Sequence, residues 1–405
     1  MSACRDGVLT RRAKQGQDVI IATTGRRRPA EHEPRPEFRD TPLGRLLHPS
    51  PKTYQISEPI IVMRYSALVA ILLVWSGWAS AEPGIEWQFL AANGPTQRSP
   101  IQGAVESYAR KYKPTAVMVV QDGLVVATSG DISRKVNVRS VRKSFLSALF
   151  GVAIERGQIK LESTLGQLGI DDTAPSLTAD EKLATVRQLL MARSGVYHPA
   201  AYETSEQKST RPPRGAHPPG TFWYYNNWDF NALGAIYERA TGSNVFDSFE
   251  KLIARPLRMQ DFTTRDGTFI GDHSSLFPAY VFSMSARDLA RFGLLFFNKG
   301  RWNDVSVVPS HWTAESTKAY SETDRKDRGY GYLWWTLGSG AWRSDAIFAS
   351  GYGGQLIVIV PEKRLVAVQV VELNERQQGI HSATFLDLVR QVSQDTAGPS
   401  PFEGR

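Results

Sequence analysis

The sequence predicts an α/β fold in which an antiparallel sheet is built from both chain ends and flanked by helices, with a mainly helical subdomain inserted between. Residues 115–129 contain two β-rich runs, and convincing strand patterns return only at 346–371. Between about 158 and 340, helical pieces are separated by long polar or Pro-rich loops. Strands at both ends with helices between them imply that the terminal strands meet in one sheet.

The first predicted elements are a strand pair and a buried helix. Residues 115–121 and 124–129 are rich in β-branched side chains and flank Asp122-Gly123, a dipeptide typical of tight hairpin turns. Residues 140–156 then have apolar side chains at helical spacing, and Gly157 closes this helix.

The remaining predicted elements follow the same rules of periodicity. The insertion is expected to contain two clear helices and a long Pro-rich loop, and the C-terminal part is expected to contain three strands and an amphipathic helix. The helices are 231–241 and 285–299, the loop is 208–220, the strands are 346–350, 355–360 and 365–371, and the last helix is 381–393.

The composition indicates a globular domain and gives no support to a nucleic-acid partner. The chain has 405 residues, 41% of them hydrophobic, which is enough to bury a sizeable core. Its formal charge is +8, but residues 1–81 hold 12 of the 48 basic and 7 of the 40 acidic side chains. Residues 82–405 therefore carry 36 basic and 33 acidic side chains, a net charge of +3. Since most of the excess charge is N-terminal, we expect no nucleic-acid partner.

Residues 63–81 have the organisation of a secretory signal peptide. Arg64 lies near the start, an apolar run continues through Trp75, and small residues end in Ala-Ser-Ala before Glu82. We expect cleavage after Ala81 and a periplasmic or secreted protein. The alternative is an uncleaved inner-membrane anchor beginning near Ile60, which would be the only membrane contact.

Residues 1–62 precede this signal and are rich in Arg and Pro with little apolar periodicity. They are predicted to be a disordered leader, or to lie upstream of the true translation start. They contain the only cysteine, Cys4, so the mature chain would have no disulfide and no thiol nucleophile. The folded domain is predicted over residues 95–390.

The first motif that can carry chemistry is Ser140-Val141-Arg142-Lys143 at the start of the predicted helix. Residues i and i+3 share a helix face with β-carbons about 5–6 Å apart, so the Ser140 hydroxyl and the Lys143 amine can meet. To accept the serine proton, the lysine needs a pKa below its ordinary value of about 10.4, through desolvation or a neighbouring cation. Alone the motif is weak, because Ser140 could equally cap a surface helix.

The second motif is an aromatic loop, residues 219–227 (PGTFWYYNN), followed by a helix. A Tyr-x-Asn sequence there can bring a proton-relaying phenol and a carbonyl-binding amide into one pocket. Two frames fit, Tyr224 with Asn226 and Tyr225 with Asn227. The simpler explanation of these aromatic residues is core packing.

The third motif, residues 348–355 (FASGYGGQ), is a strand that enters a glycine-rich turn. Glycine lets the backbone approach a ligand closely, so this edge can offer an N–H group to a developing oxyanion. The glycine spacing is wrong for a phosphate-binding loop, and no helix follows.

Together the motifs resemble the β-lactamase/penicillin-binding-protein-like superfamily of serine hydrolases, which includes class C β-lactamases, DD-peptidases, family VIII esterases and 6-aminohexanoate-dimer hydrolases. The resemblance covers residues 95–390 and five segments in family order: SVRKSFLSALFGVAIERG, LLMARSGVYHP, PPGTFWYYNNWDFNALGAIYERATG, SARDLARFGLLFFNKGRW and ASGYGGQ. It implies the β-lactamase/transpeptidase-like form of the predicted fold and a cofactor-free enzyme.

The resemblance also implies the site residues. Aligning the family's Pro-Gly and Leu-Gly pairs selects the frame with Tyr225 and Asn227. The implied mechanism acylates Ser140, with the backbone N–H groups of Ser140 and Tyr352 as the oxyanion hole. The catalytic residues would be Ser140, Lys143 and Tyr225, and the substrate-binding residues Asn227, Ser350, Gly351 and Tyr352.

The chain departs from the family at Ala349. β-Lactamases and DD-peptidases have Lys or His there, facing the substrate carboxylate, and alanine cannot bind a carboxylate. We therefore expect esters or amides as substrates. The alternatives are a β-lactamase or D-alanyl-D-alanine carboxypeptidase, in which arginines such as Arg142 or Arg343 replace the missing cation, and a catalytically silent cell-wall-binding protein.

Other chemistries have less support. The seven histidines show no paired ligand spacing, so no metal site is predicted, and no G-x-S-x-G elbow is present. His198 follows Tyr197, but no acidic partner can be named for it. An apolar pocket wall could be formed by Trp334, Trp335, Tyr197 and Trp228.

Overall fold

The computed structural model describes residues 86–90, 99–338, 342, 345–375 and 378–395. The chain divides into Met1–Val74 and Trp75–Arg405, and every described residue belongs to the second unit. The predicted leader, the signal peptide with its cleavage site, Cys4 and Arg343 lie outside the described residues. Within the described ranges, no helix is long and apolar enough to cross a membrane.

In the described part of the chain, the strands form one large sheet and two small ones. The large sheet has eight strands in the order β2-β1-β13-β12-β11-β10-β9-β8, and the small sheets are β3-β5-β4 and β6-β7. The strands are β1 Ala116–Gln121, β2 Leu124–Gly130, β3 Val136–Asn137, β4 Gly267–Ile270, β5 Ala279–Met284, β6 Arg301–Trp302, β7 Val305–Ser306, β8 Ser321–Glu322, β9 Arg328–Tyr330, β10 Trp335–Leu337, β11 Ile347–Gly351, β12 Gln355–Val360 and β13 Leu365–Val370.

The central strands of the sheet come from the two ends of the domain, as predicted. β1 pairs with β13 in an antiparallel register that runs from Ala116 opposite Val370 to Gln121 opposite Leu365. The β1–β2 hairpin turns at Asp122 and Gly123, whose φ values of 52° and 78° are those of a two-residue turn with the left-handed conformation at both positions. The predicted α/β class with an antiparallel sheet is therefore confirmed.

Helices cover both faces of this sheet and fill the insertion. The helices are α1 Pro100–Tyr112, α2 Arg142–Glu155, α3 Val186–Leu190, α4 Ser205–Thr210, α5 Asn227–Thr241, α6 Val245–Phe249, α7 Ala286–Phe297, α8 Ser310–Ser316 and α9 Ser382–Asp395.

The sheet is the middle layer of three. On one side, Tyr108 of α1 donates a 2.6 Å hydrogen bond to the Gln369 side chain. On the other side, Gly293 of α7 packs against Val366, and a Cβ at Gly293 would collide with that side chain. Val366 and Gln369 are three residues apart on one strand, so their side chains point to opposite faces.

The buried helix α2 links the sheet to the inserted helices. It contacts α5, α6 and α8, and its Phe145 packs against Phe249, Phe282 and Phe292 with ring centroids 4.8 to 5.3 Å apart. This aromatic cluster holds α2 firmly, and the turn that precedes the helix is thereby fixed relative to the edge of β11.

Two predicted helix starts were wrong. The segment expected to be helical from Ser140 begins instead as a tight 3-10 turn, Arg139–Val141, and α2 starts at Arg142. α5 starts at Asn227, four residues before the predicted position, because the Asn226 side chain accepts a hydrogen bond from the Trp228 N–H and caps the helix. The apolar periodicity does not extend into either first turn, so it could not locate them.

Candidate active site

A pocket of about 930 Å³ opens where the turn before α2, the aromatic loop before α5 and the edge of β11 meet. Its wall includes Ser140, Tyr225, Ser350, Gly351 and Tyr352. The three sequence motifs, which are separated by up to 200 residues of chain, thus contribute to one concave site.

Ser140 is presented to this pocket by an unusual turn. The residue before it, Arg139, has φ of 54°, a left-handed conformation that non-glycine residues rarely adopt. The Asn137 side chain stabilises the turn by accepting a 2.9 Å hydrogen bond from the Arg139 N–H. Neither the 3-10 turn nor α2 has a side-chain cap, so the interpretation of Ser140 as a helix cap is wrong.

Lys143 is the direct partner of Ser140. Its Nζ donates a 2.8 Å hydrogen bond to the Ser140 Oγ, although only 2% of the lysine is exposed. The same Nζ lies 5.0 Å from the Tyr225 ring centroid and 4.7 Å from that of Phe230. Burial, and next the charge of Arg142, holds the pKa of Lys143 well below its ordinary value. A lysine in this environment can exist as a neutral amine.

The structure places Tyr225, and not Tyr224, beside Ser140. Burial raises the pKa of the Tyr225 phenol, while its hydrogen bond with Ser140 and the charges of Arg142 and Arg325 oppose that rise. The Tyr224 hydroxyl is directed elsewhere and donates a 2.8 Å hydrogen bond to the Gln207 carbonyl. The geometry therefore favours the frame that the family spacing selected.

The end of β11 closes the pocket opposite Ser140. A Cβ on Gly351 would collide with the carbonyl oxygen of Val138, so glycine is required for this strand to approach the turn that carries Ser140. Ser350 and Tyr352 lie on the pocket wall, and Tyr352 is 68% exposed. The third motif is thus brought next to the first.

Neither Lys143 nor Asn227 lies on the pocket wall, but Lys143 contacts Ser140 from behind it, whereas Asn227 contacts another part of the protein. The Asn227 amide donates a 2.8 Å hydrogen bond to the Tyr202 carbonyl, and only 4% of the residue is exposed. Its side-chain oxygen has no partner among the described residues. In this structure the amide is held within the protein, and the contact of Asn227 with substrate stays a prediction.

The cations near the pocket differ from those that the sequence suggested. Ala349 is 1% exposed and pairs with Ile357 inside the sheet, and Arg142 is also 1% exposed, so neither side chain reaches the pocket. The arginines on the pocket wall are Arg193 and Arg325. Sequence reasoning missed both: Arg193 lies in the matched segment LLMARSGVYHP but outside the three chemical motifs, and Arg325 lies in an irregular segment away from all of them.

Aromatic rings form one wall of the pocket. Trp335 stacks on Tyr225 with ring centroids 5.5 Å apart and an interplanar angle of 24°, and the Trp223 ring meets Trp335 at 5.9 Å. Of the four aromatic residues proposed for this wall, only Trp335 lines it, whereas Trp334, Trp228 and Tyr197 are buried in the core. The adjacent tryptophans Trp334 and Trp335 differ because successive residues of an extended segment point in opposite directions.

The structure gives His198 an acidic partner that the sequence did not reveal. Its Nδ1 lies 3.5 Å from the Asp172 carboxylate, and both side chains are buried. The ring nitrogens also face the carbonyl oxygens of Pro199 and Thr173, at 2.9 and 3.1 Å. These contacts are internal to the fold, and His198 is not on the pocket wall. Within the described ranges, no group of three or more His, Cys, Asp or Glu residues could hold a metal ion.

Comparison with known families and structures agrees with this arrangement. The model of the Beta-lactamase family matches residues 104–390, which is well over half of the chain. No curated protein sequence matches the chain significantly.

Solved structures with the same fold come from several organisms. A Bacillus anthracis protein provisionally assigned as a 6-aminohexanoate-dimer hydrolase is 18% identical, with a TM-score of 0.58 over 78% of this chain and 89% of its own. The octameric penicillin-binding protein homologue from Pyrococcus abyssi is 17% identical, with a TM-score of 0.55 over 72% and 77% of the two chains. A penicillin-binding protein from Bacillus halodurans is 15% identical, with a TM-score of 0.54 over 71% and 98%. At these identities the similarity shows the fold alone.

Proposed function

The chain belongs to the Beta-lactamase family of serine hydrolases, and from this premise we propose that it hydrolyses uncharged esters or amides through an acyl-enzyme on Ser140. One observation carries the proposal: the Ser140 Oγ lies on the pocket wall, 2.8 Å from the Nζ of the buried Lys143. This is the contact that a nucleophile and its general base require.

Acylation begins when the Ser140 Oγ attacks the substrate carbonyl carbon and its proton moves to the Lys143 Nζ. The carbonyl electrons move to the oxygen, and the bond to the leaving alcohol or amine then breaks as Lys143 and Tyr225 return the proton to it. In deacylation, water attacks the same carbon while these two side chains accept its proton, and the bond from that carbon to the Ser140 Oγ then breaks as they return the proton to Oγ. The products are the free acid and the regenerated Ser140 hydroxyl.

The oxyanion is stabilised by backbone N–H groups of Ser140 and Tyr352. The close approach of Gly351 to the carbonyl of Val138 supports this assignment, because it brings the two segments together. Donors fixed in a pocket before the reaction stabilise a developing charge more than water does.

The preference for uncharged substrates rests on the absence of a long cationic side chain at position 349, where the methyl group of Ala349 is buried and does not reach the pocket. A family Lys or His at this position makes a charge-assisted contact with the substrate carboxylate, and such contacts contribute roughly 1.5–3 kcal/mol. Without it, transition-state binding of carboxylate-bearing donors should weaken by about tenfold to a hundredfold, whereas uncharged donors lose nothing.

Arg325 favours a second candidate, a hydrolase of β-lactams or D-alanyl-D-alanine peptides. Its guanidinium lies 5.0 Å from the Trp335 ring centroid, and it lines the pocket with Tyr225 and Ser350. It makes no ion pair within the described residues, so its charge is available to a substrate carboxylate. Arg193 is a weaker candidate, because its guanidinium donates to the Tyr320 carbonyl at 3.2 Å.

Labelling tests the reaction class. The full-length protein is incubated with a fluorophosphonate, and the adduct is mapped by peptide mass spectrometry. A single adduct on Ser140 is expected, with none in Ser140→Ala. An adduct at another serine, or none in a well-folded protein, would reject the nucleophile.

A matched pair of substrates tests the substrate class. kcat/KM is measured for p-nitrophenyl butyrate and for a chromogenic cephalosporin, each relative to its spontaneous hydrolysis, in the wild type and in Arg325→Gln. If the wild type hydrolyses the ester faster than the cephalosporin and Arg325→Gln leaves the ester rate unchanged, the ester or amide hydrolase is supported. Faster cephalosporin hydrolysis that falls tenfold or more in Arg325→Gln supports the second candidate.

Export is a separate part of the proposal. The signal-like residues 63–81 support cleavage after Ala81 and a periplasmic or secreted location. N-terminal sequencing of the exported protein should find Glu82 first. A membrane-bound protein that retains residues upstream of Met63 would favour the anchor.

A further inference from the structure

Among the residues that the structure describes, no carboxylate pairs with the buried cation of Arg142. Only 1% of it is exposed, and its guanidinium lies 4.3 Å from the Tyr280 ring centroid. Its Nη2 donates a 3.2 Å hydrogen bond to the Asn231 side chain, whereas its Nε and Nη1 have no acceptor among the described residues. Burying a charge in this way is costly, and such an arrangement calls for an explanation.

Lys143, the next residue in the chain, is also buried. Two consecutive side chains that normally carry a positive charge are therefore both removed from solvent. The groups that contact the Lys143 amine are the Ser140 hydroxyl and the rings of Tyr225 and Phe230. None of these is a carboxylate. Since an arginine cannot lose its proton in a protein, the lysine is the side chain that becomes neutral.

Asp229, a buried carboxyl on α5, does not offset the charge of Arg142. Asp229 accepts hydrogen bonds from the side chains of Ser194 and Asn226, and burial raises its pKa well above its ordinary value. Burial therefore favours its neutral form. Among the described residues, the other charge that acts on Tyr225 is Arg325, which has the same sign as Arg142.

We propose that Arg142 is a positioning residue that acts through its charge: it keeps the adjacent Lys143 amine unprotonated, ready to take the hydroxyl proton of Ser140. The inference rests on the proposed function of Ser140. In acylation, the Ser140 O–H bond breaks and its proton goes to the lone pair of the Lys143 Nζ. The Oγ bonds to the substrate carbonyl carbon, and the carbonyl electrons move to the oxygen. Arg142 itself touches neither substrate nor reacting atoms.

Two observations beyond this geometry agree with the proposal. The charge of Arg142 adds to burial, which is the larger cause, in lowering the pKa of Lys143, and it opposes the rise that burial causes in the pKa of Tyr225. Both proton-handling groups therefore respond to the same cation. Its position inside α2, behind Ser140, leaves the pocket free for substrate.

The test measures how the reactivity of Ser140 depends on pH. The second-order rate constant for fluorophosphonate labelling of the full-length protein is measured across the pH range, because it reports on proton transfer without depending on the substrate. Arg142→Gln removes the charge and keeps a side chain that can contact Asn231. The matched control is Arg156→Gln, an exposed arginine at the C-terminal end of the same helix.

We expect the acidic limb of the Arg142→Gln profile to move to higher pH by about one unit or more, because the variant removes a positive charge that lowers the pKa of Lys143. Labelling below the limb should fall at least about tenfold, whereas the plateau at high pH is kept. Arg156→Gln should leave the limb in place. kcat/KM for the best ester should show the same shift.

An unmoved limb in a folded Arg142→Gln protein, with a uniformly lower plateau, would overturn the inference and leave Arg142 with a packing role. Arg142→Met, which also removes the charge but retains the volume, provides a second test if the glutamine variant is unstable. The wild type offers a third, because an acidic limb near the ordinary lysine pKa of about 10.4 would contradict a neutral Lys143. If wild-type Ser140 is not labelled at all, the proposed function fails instead.

Discussion

The Arg139 guanidinium donates a 2.6 Å hydrogen bond to the Tyr202 hydroxyl, and both residues have a left-handed backbone, with φ of 54° and 65°. The same hydroxyl accepts a 3.2 Å hydrogen bond from the Asn137 amide. Asn227 in turn donates to the Tyr202 carbonyl. A chain of contacts thus runs from the start of α5 to the residue immediately before Ser140.

Tyr202→Phe should lower kcat by about tenfold and change KM by less than about twofold. The variant loses the acceptor that holds Arg139 in its strained turn, and each net hydrogen bond contributes about 1 kcal/mol. Steady-state kinetics with the best ester substrate shows whether kcat falls while KM stays nearly constant. A large rise in KM with unchanged kcat would place Tyr202 in substrate binding and not in the support of Ser140.

Ser140→Ala should abolish turnover and leave the protein folded. Because Ser140 caps no helix, the free energy of unfolding should fall by only about 1 kcal/mol, the value of the hydrogen bond with Lys143. Activity assays and thermal unfolding are run on the same preparation. More than a trace of activity in the folded variant would contradict the assignment.

Tyr225→Phe should lower kcat by orders of magnitude, whereas Tyr224→Phe should have a mild effect. Tyr225 lies beside Ser140 and Lys143, but the Tyr224 hydroxyl bonds to the Gln207 carbonyl. The double variant of Lys143→Ala and Tyr225→Phe should be hardly worse than either single one, since one proton relay fails as a unit. The reverse ranking of the two tyrosines would show that the frame is wrong.

Lys143→Met should be inactive and more stable than the wild type at pH 7. The folded protein depresses the pKa of Lys143, so the unfolded chain binds the proton more readily and the wild type is penalised below about pH 10.4. The penalty grows as pH falls from that value to the pKa in the folded state. The stability advantage of the variant, measured by urea unfolding, should therefore shrink as pH rises toward 10. An advantage that does not change with pH would indicate better packing alone.

Local sequence patterns located five of the thirteen strands in the described residues, β1, β2 and β11 to β13, but missed β3 to β10, of which β8, β9 and β10 extend the large sheet. The strands of β1 and β2 follow from β-branched runs around Asp122-Gly123, and the α2 segment follows from its apolar spacing. The pairing of β1 with β13 was predicted from the strand patterns at both ends of the domain. The helix starts at residues 142 and 227 did not follow, because a 3-10 turn and an asparagine cap fix them, and neither alters apolar periodicity.

The sequence by itself determined which residue types this protein has for chemistry: a serine and a lysine one helical turn apart, a tyrosine loop, and a glycine-rich strand end without a cation at Ala349. Only the tertiary structure decided which of them meet. It turns Tyr225 toward Ser140 and Tyr224 away, withdraws Asn227 to the Tyr202 carbonyl, and brings Arg325 to the pocket wall. The physical reason is that burial and long-range packing set the direction of a side chain and the pKa of Lys143, and neither property is encoded in the spacing of a motif.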